Sequence, residues 1–215
     1  MIKSKKDGLL IVISGPSGAG KGTICKELLK ANPDIWQSIS MTTRLPREGE
    51  EEGVTYYFVT KEEFEQRIKD GQMLEYAEVY NGTYYGTPKD EVLKRINNGM
   101  DVLLEIDIEG AINIKEMYPN AICIFIMPPS MKELKKRLEG RGTETKDKVL
   151  ERFKKAYQEV NEVTKYNYVV INDEVELAKK KIESILISEK CRVDRIEDVE
   201  LGNMEEEIHE LLIED

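Results

Sequence analysis

Histidine is almost missing from this 215-residue chain, and the one present, His209, sits in an acidic C-terminal stretch. An imidazole general base or a nucleophilic triad would have to be assembled there, and an exposed helix histidine is the plainer reading. Cysteine is scarce as well. Cys25, Cys123 and Cys191 lie far apart with no C-x-x-C spacing, so neither a disulfide framework nor a zinc site is expected, and a reducing cytoplasm fits best. No apolar run approaches membrane-spanning length, and Met1 to Asp7 is too short and too polar for a secretory signal. No membrane or nucleic-acid partner is expected. The remaining catalytic toolkit is carboxylate, lysine, arginine and a hard cation, which is that of phosphoryl transfer.

The formal charge of −10 is unevenly spread. Glu189 to Asp215 holds eleven acids against three bases, which leaves the rest of the chain close to neutral. That body is free to gather basic residues where an anion binds. Within the tail, Met204, Ile208, Leu211 and Leu212 share one helical face, so a short amphipathic helix over 203–213 and a frayed acidic end are both open readings.

The richest stretch is Leu9 to Thr23, LLIVISGPSGAGKGT. Its apolar run reads as a buried parallel strand, its glycines as a turn, and Thr23 onward as a helix with Ile24, Leu28 and Leu29 on one face. Strand, glycine loop, lysine and helix start make a phosphate cradle. Glycines let successive amides converge on one anion, the helix N-terminus adds partial positive charge, and Lys21 brings a mobile full charge to the outer phosphates. The competing reading, a strand-to-helix turn that binds nothing, needs neither the lysine nor so many glycines. One position departs from the usual pattern. A Ser or Thr normally follows the lysine and ligates magnesium, but here Gly22 stands there. Either Thr23 provides the hydroxyl or magnesium is held mostly through water.

Downstream, apolar strands alternate with helices, which predicts an α/β fold with a doubly wound parallel sheet. Strands are expected at Trp36 to Thr43, Val54 to Val59, Met73 to Tyr80, Gly82 to Tyr85, Val102 to Asp107, Ala121 to Met127 and Tyr166 to Ile171. Asn81-Gly82 is a hairpin signal, and Thr60-Lys61-Glu62-Glu63 a capping box. Between Ser38 and Thr87 the strands are short and carry one helix, as a small insertion would. In its loop, Arg44 and Arg47 flank a stiffening Pro46, while Glu50 to Glu52 read as a solvated connection. Asp107 ends an apolar strand, where P-loop enzymes orient the magnesium shell. Arg137, Arg141 and Arg152 on glycine-hinged helices describe a lid. Lys132, Lys135, Lys136, Lys154 and Lys155 read as a basic surface face.

Taken together, the chain resembles the guanylate kinases, which move the γ-phosphoryl group of ATP onto GMP. The resemblance covers residues 8–190 and is carried by GPSGAGKGT, SISMTTRLPREGE, GVTYYFV, LEYAEV, YYGTP, LEIDIEG, RLEGRGTET and VIND. It implies a P-loop NTPase-type parallel sheet flanked by helices, with a small α+β GMP-binding insertion (38–87) and a helical lid (130–155). The core would comprise 1–37, 88–129 and 156–190, followed by an acidic tail, 191–215. It implies that Gly15, Ser17, Gly18, Ala19, Gly20, Lys21, Gly22 and Thr23 bind ATP, with Asn172 near the adenine. Ser40, Arg44, Arg47, Tyr56, Tyr85 and Thr87 would hold GMP, and Asp107 would lie near the magnesium and phosphates.

Glu75 would read the base. Guanine offers N1–H and a 2-amino group on one edge, and a carboxylate accepts both, whereas adenine leaves it unpaired. Lys21, Arg137, Arg141 and Arg152 would neutralise the transferring group, with Mg2+ near Thr23 and Asp107 through water. Glu105 departs from the family pattern, which usually carries Asp there. Two alternatives stand beside this reading: a non-catalytic guanylate-kinase-like interaction module, and a kinase for another nucleoside monophosphate. A homo-oligomer is left open.

Overall fold

The structure, a computed structural model, describes residues 2–4, 7–80, 82–140 and 146–199. Along the chain run β1 (Ile2–Ser4), β2 (Leu10–Ser14), α1 (Lys21–Ala31), β3 (Trp36–Gln37), β4 (Met41–Thr42) and β5 (Tyr57–Phe58). Then come α2 (Lys61–Lys69), β6 (Met73–Tyr80), β7 (Thr83–Pro88), α3 (Lys89–Asn97), β8 (Val102–Glu105) and α4 (Ile108–Met117). The last elements are β9 (Ile122–Met127), α5 (Met131–Glu139), α6 (Lys146–Val160), β10 (Tyr168–Ile171), α7 (Val175–Lys190) and β11 (Ile196–Val199).

A five-stranded parallel sheet of order β10-β9-β2-β8-β3 is the frame, as the alternating pattern predicts. All five residues of β2 are buried because helices cover both faces. Ile11 and Ile13 pack with Ile24, Leu28, Ile182 and Leu186 of α1 and α7. Leu10 and Val12 pack with Val92, Ala111 and Ile114 of α3 and α4. Each such buried aliphatic side chain contributes about 1.5–3 kcal/mol. β2 is the central strand, so the loop that follows it issues from a fully buried part of the sheet.

A separate four-stranded sheet of order β5-β4-β7-β6 stands beside this frame. Two expected strands are altered in it. The stretch from Trp36 to Thr43 splits, its first part pairing with β8 and its second with β5 and β7. Val54 to Val59 contracts to Tyr57–Phe58 because Thr55 N–H donates to Glu51 O (2.9 Å) and Gly53 N–H to Tyr56 O (2.9 Å), coiling the preceding residues into a turn. The β6–β7 hairpin runs to Pro88, beyond the expected Tyr85. Its register slips between Glu78 and Tyr80, which puts Thr87 opposite Glu75; a regular two-residue turn would have put it opposite Tyr76.

Helix α5 starts at Ser130, whose hydroxyl caps Glu133 N–H, and packs through Leu134 and Leu138 on Ala156 of α6. The acidic tail begins in order. β11 pairs antiparallel with β1, and Arg192 and Arg195 both reach the carboxylate of Glu189, which also accepts from Tyr168 Oη. Arg141, His209 and the amphipathic stretch 203–213 lie outside the described residues.

Candidate active site

The phosphate loop is set by backbone demands that only glycine meets. Gly15 (φ 144°) and Gly20 (φ 91°) both have positive φ. A Cβ on Gly15 would stand 2.2 Å from Ile126 O, and one on Gly20 2.4 Å from Asn172 Nδ2. Gly20 precedes α1 with no side-chain cap, and the first turn carries no acid, so its amides stay open to an anion. Lys21 begins the helix two residues ahead of the expected start and donates to Gly15 O (2.6 Å) and Pro16 O (3.3 Å). Burial pushes its pKa down, while Glu105, Glu159 and Asp107 hold it up.

Outside the carboxyl ends of the parallel strands lies a cleft of about 1210 Å³. Gly15, Ser17 and Lys21 line one end, and Ser40, Arg47, Tyr56, Glu75 and Tyr85 the other, with Asp107 and Arg152 also on its wall. The loop, the four-stranded sheet and α6 therefore meet at one surface.

Glu75 is only 4% exposed. Thr87 Oγ1 donates to its Oε1 at 2.7 Å, and Gly110 lets α4 approach so closely that a Cβ there would fall 2.4 Å from Oε2. Burial raises the Glu75 pKa to about 7; Thr87 opposes the rise, and Asp107 and Glu109 add to it. Asp107 caps α4, its Oδ1 accepting from Gly110 N–H at 2.8 Å. The two acids are thus joined through one glycine.

Other expected site residues fall elsewhere. Arg44 does not line the cleft. Its guanidinium is clamped on Glu50 by bonds of 2.6 and 2.7 Å, donates to Tyr85 Oη (2.9 Å), and lies over the Tyr56 ring. Glu50 is accordingly no solvated connection: Arg44 depresses its pKa to about 2, and it also accepts from Arg47 N–H. Asn172 is buried behind the loop, donating to Ala19 O at 2.7 Å, so its side chain braces the cradle from the back. Arg137 donates to Glu133 and to Asn172 O and is not among the lining residues. Thr23 is exposed and also absent from the lining.

Sequence reasoning passed over three lining residues on α6: Glu151, Lys155 and Glu159. Lys155, expected on a basic surface face, is turned to the cleft with Arg152, whose Nη2 donates to Ser17 Oγ at 2.5 Å. The spacing of Glu151, Lys155 and Glu159, four residues apart on one helical face, was the available signal. Among the described residues, no three His, Cys, Asp or Glu side chains converge to cage a metal. Glu105 and Asp107, both lining the cleft near Lys21, suit a hard cation that keeps most of its waters.

A glycine loop between a buried parallel strand and a helix, opened by a lysine, defines a P-loop nucleotide-binding protein. Known proteins narrow this further. The family described as Guanylate kinase matches residues 7–189. A guanylate kinase of Clostridium acetobutylicum is 60% identical over 205 residues, covering 95% of this chain and 97% of the relative. One from Clostridium perfringens is 59% identical over 214 residues, covering 99% of each. The crystal structure of guanylate kinase from Anaplasma phagocytophilum superposes with a TM-score of 0.76 at 35% identity, covering 90% of this chain and 92% of that one. Shikimate kinase from Bacteroides thetaiotaomicron (TM-score 0.50, 17% identity) shares the fold alone, over 83% of this chain and 98% of its own. The chain belongs to the guanylate kinase family.

Proposed function

We propose that this chain transfers the γ-phosphoryl group of ATP to GMP, giving ADP and GDP, with the loop gripping the donor and Glu75 selecting the acceptor. The observation that carries the reading is the buried Glu75 carboxylate on the wall of the same cleft as Lys21. Ionised, it accepts from guanine N1–H and the 2-amino group together, while Thr87 keeps it oriented. Adenine would leave it buried and unpaired, a mismatch that discriminates strongly.

Residues 38–87 then act as the GMP-binding unit and 130–155 as a lid over a core of 1–37, 88–129 and 156–190. Ser40, Arg44, Arg47, Tyr56 and Tyr85 take the acceptor phosphate. Arg44 serves this only by sharing its guanidinium between Glu50 and the phosphate, and the stacked Tyr56 ring keeps it in place. Gly15, Ser17, Gly18, Ala19, Gly20, Lys21, Gly22 and Thr23 bind ATP, with Asn172, which also braces the loop, beside the adenine. Arg152, with Arg137 and Arg141, neutralises charge on the transferring group as the lid closes and excludes water. Magnesium bound with ATP supplies further neutralisation, and Asp107 and Glu105 would face its water shell. No helix among the described residues is long and apolar enough to cross a membrane. A cytoplasmic location is part of this proposal, on the strength of the unpaired cysteines.

No observation favours the interaction-module alternative, since the glycine loop and Lys21 are intact. A coupled assay of ADP release with GMP, AMP, UMP and CMP tests the assignment. Turnover with GMP far above the others is expected; preference for another monophosphate, or none, would overturn it.

A further inference from the structure

The tip of the phosphate loop is seated on α5 and α6. Pro16 to Ala19 close a turn, Ala19 N–H donating to Pro16 O at 3.1 Å, with Ser17 and Gly18 at its corners. Gly18 takes φ 87°, the value a type II turn asks of its third residue. Its bare α-carbon lies against α5, where a Cβ would stand 3.0 Å from both Leu134 Cδ1 and Leu138 Cδ2. Leu134 and Leu138 in turn pack on Ala156 of α6, and Arg152 lies one turn before Ala156 on the same face.

From there the Arg152 guanidinium returns to the turn. Its Nη2 donates to Ser17 Oγ at 2.5 Å, the one side-chain hydrogen bond of Ser17 among the described residues. Loop tip, α5 and α6 therefore form a closed ring of contacts, apolar at Gly18 and polar at Ser17. Ser17 and Arg152 are both half-buried, and both line the cleft. The chemistry of the partner matters here. A carboxylate would hold the arginine but cancel its charge, whereas a hydroxyl orients the guanidinium and leaves its charge whole. Arginine has much rotamer freedom, and a group fixed beforehand does not have to be ordered as the reaction proceeds.

We propose that Ser17 is a positioning residue of the transfer step: its hydroxyl seats Arg152, so that the turn whose amides hold the donor also places the charge that neutralises the transferring phosphoryl group. This rests on the phosphoryl transfer proposed above and on the role given there to Arg152. Ser17 holds ATP through its main chain, which a side-chain substitution leaves in place, and acts on the transfer through its hydroxyl.

The test is a double-mutant cycle of Ser17→Ala, Arg152→Met and the two combined. It is read by the single-turnover rate of phosphoryl transfer to GMP, by the calorimetric dissociation constant for ATP with Mg2+, and by thermal melting. Ser17→Ala should slow transfer about tenfold, the usual worth of a hydrogen bond to a charged group, and should leave ATP affinity within about twofold of wild type. Arg152→Met should slow transfer by about 10²–10³-fold. The combined variant should match Arg152→Met to within about twofold, because the hydroxyl then has nothing to position. Losses that multiply in the combined variant would show the hydroxyl acting on the nucleotide by itself and would overturn the proposal. So would a Ser17→Ala protein that transfers at the wild-type rate, that loses ATP affinity in step with rate, or that fails to fold. An Arg152→Met protein with the wild-type rate would remove Arg152 from the transfer step and this inference with it, leaving the assignment of donor and acceptor intact. Wild-type protein that releases no ADP with GMP would overturn that assignment itself.

Discussion

The two ends of the cleft are built in opposite ways, and under the proposed function they would hold their ligands differently. At the loop end the grip is main chain: amides shaped by Gly15 and Gly20, anchored to a central strand with no exposed residue. At the Glu75 end the grip is side chain, drawn from β6, β7, the 44–50 loop and α4 and held by polar clamps such as Arg44–Glu50 and Thr87–Glu75. Main-chain recognition suits phosphate, which any nucleotide carries. Recognition of one base needs a particular carboxylate, and burying it carries an energetic cost.

That cost has a sign and a pH window. The Glu75 pKa is raised from an ordinary 4.5 to about 7, so the folded state favours the protonated form. The stability this gives is complete below pH 4.5 and is lost as pH rises through 7, a change of about 3 kcal/mol. Under the proposed function, binding of guanine uses the ionised form, so it runs the other way and should weaken as pH falls below 7.

The contrast can be broken from either end. Lys21→Met should lower kcat by about 10³-fold, by removing the full charge from the donor phosphates, with melting little altered; rapid-quench and steady-state assays would show this. Glu75→Gln should reduce kcat/KM for GMP by roughly 10²–10³-fold while the ATP dissociation constant holds. It should also raise the melting temperature at pH 8, since an ionised buried group is removed, and flatten the rise in KM for GMP below pH 7. Gly110→Ala should raise KM for GMP on the order of tenfold and cost about 1–3 kcal/mol, because the added methyl drives Glu75 from its seat. Glu50→Gln should change KM for GMP only a few-fold, as Arg44 loses its bidentate partner but keeps Tyr85 and the Tyr56 ring. Truncation after Lys190 should leave turnover at 25 °C unchanged. It should still lower the melting temperature by several degrees, because buried Glu189 loses both arginines.

The same contrast governs what was legible in the sequence. The parallel sheet and the loop were readable because buried strand, glycines and lysine are contiguous, so local pattern and tertiary role coincide. The insertion was less so. Thr87 reaches Glu75 only through a register slip in the hairpin, and no residue type announces that slip. Glu50 looked like one of three solvated acids until Arg44 closed on it. The brace that Asn172 gives the loop, through Ala19 O, is a contact across 153 residues that no local pattern announces. Lys155 and Glu159 differ from surface charges only in which face of α6 meets the cleft.

The central claim is that one buried carboxylate chooses guanine, and the ratio of kcat/KM for GMP to that for AMP at pH 8, wild type against Glu75→Gln, tests it most directly. A wild-type preference of about 10³ or more that falls by at least tenfold in the variant is the predicted result. A preference that survives the substitution unchanged would contradict the account.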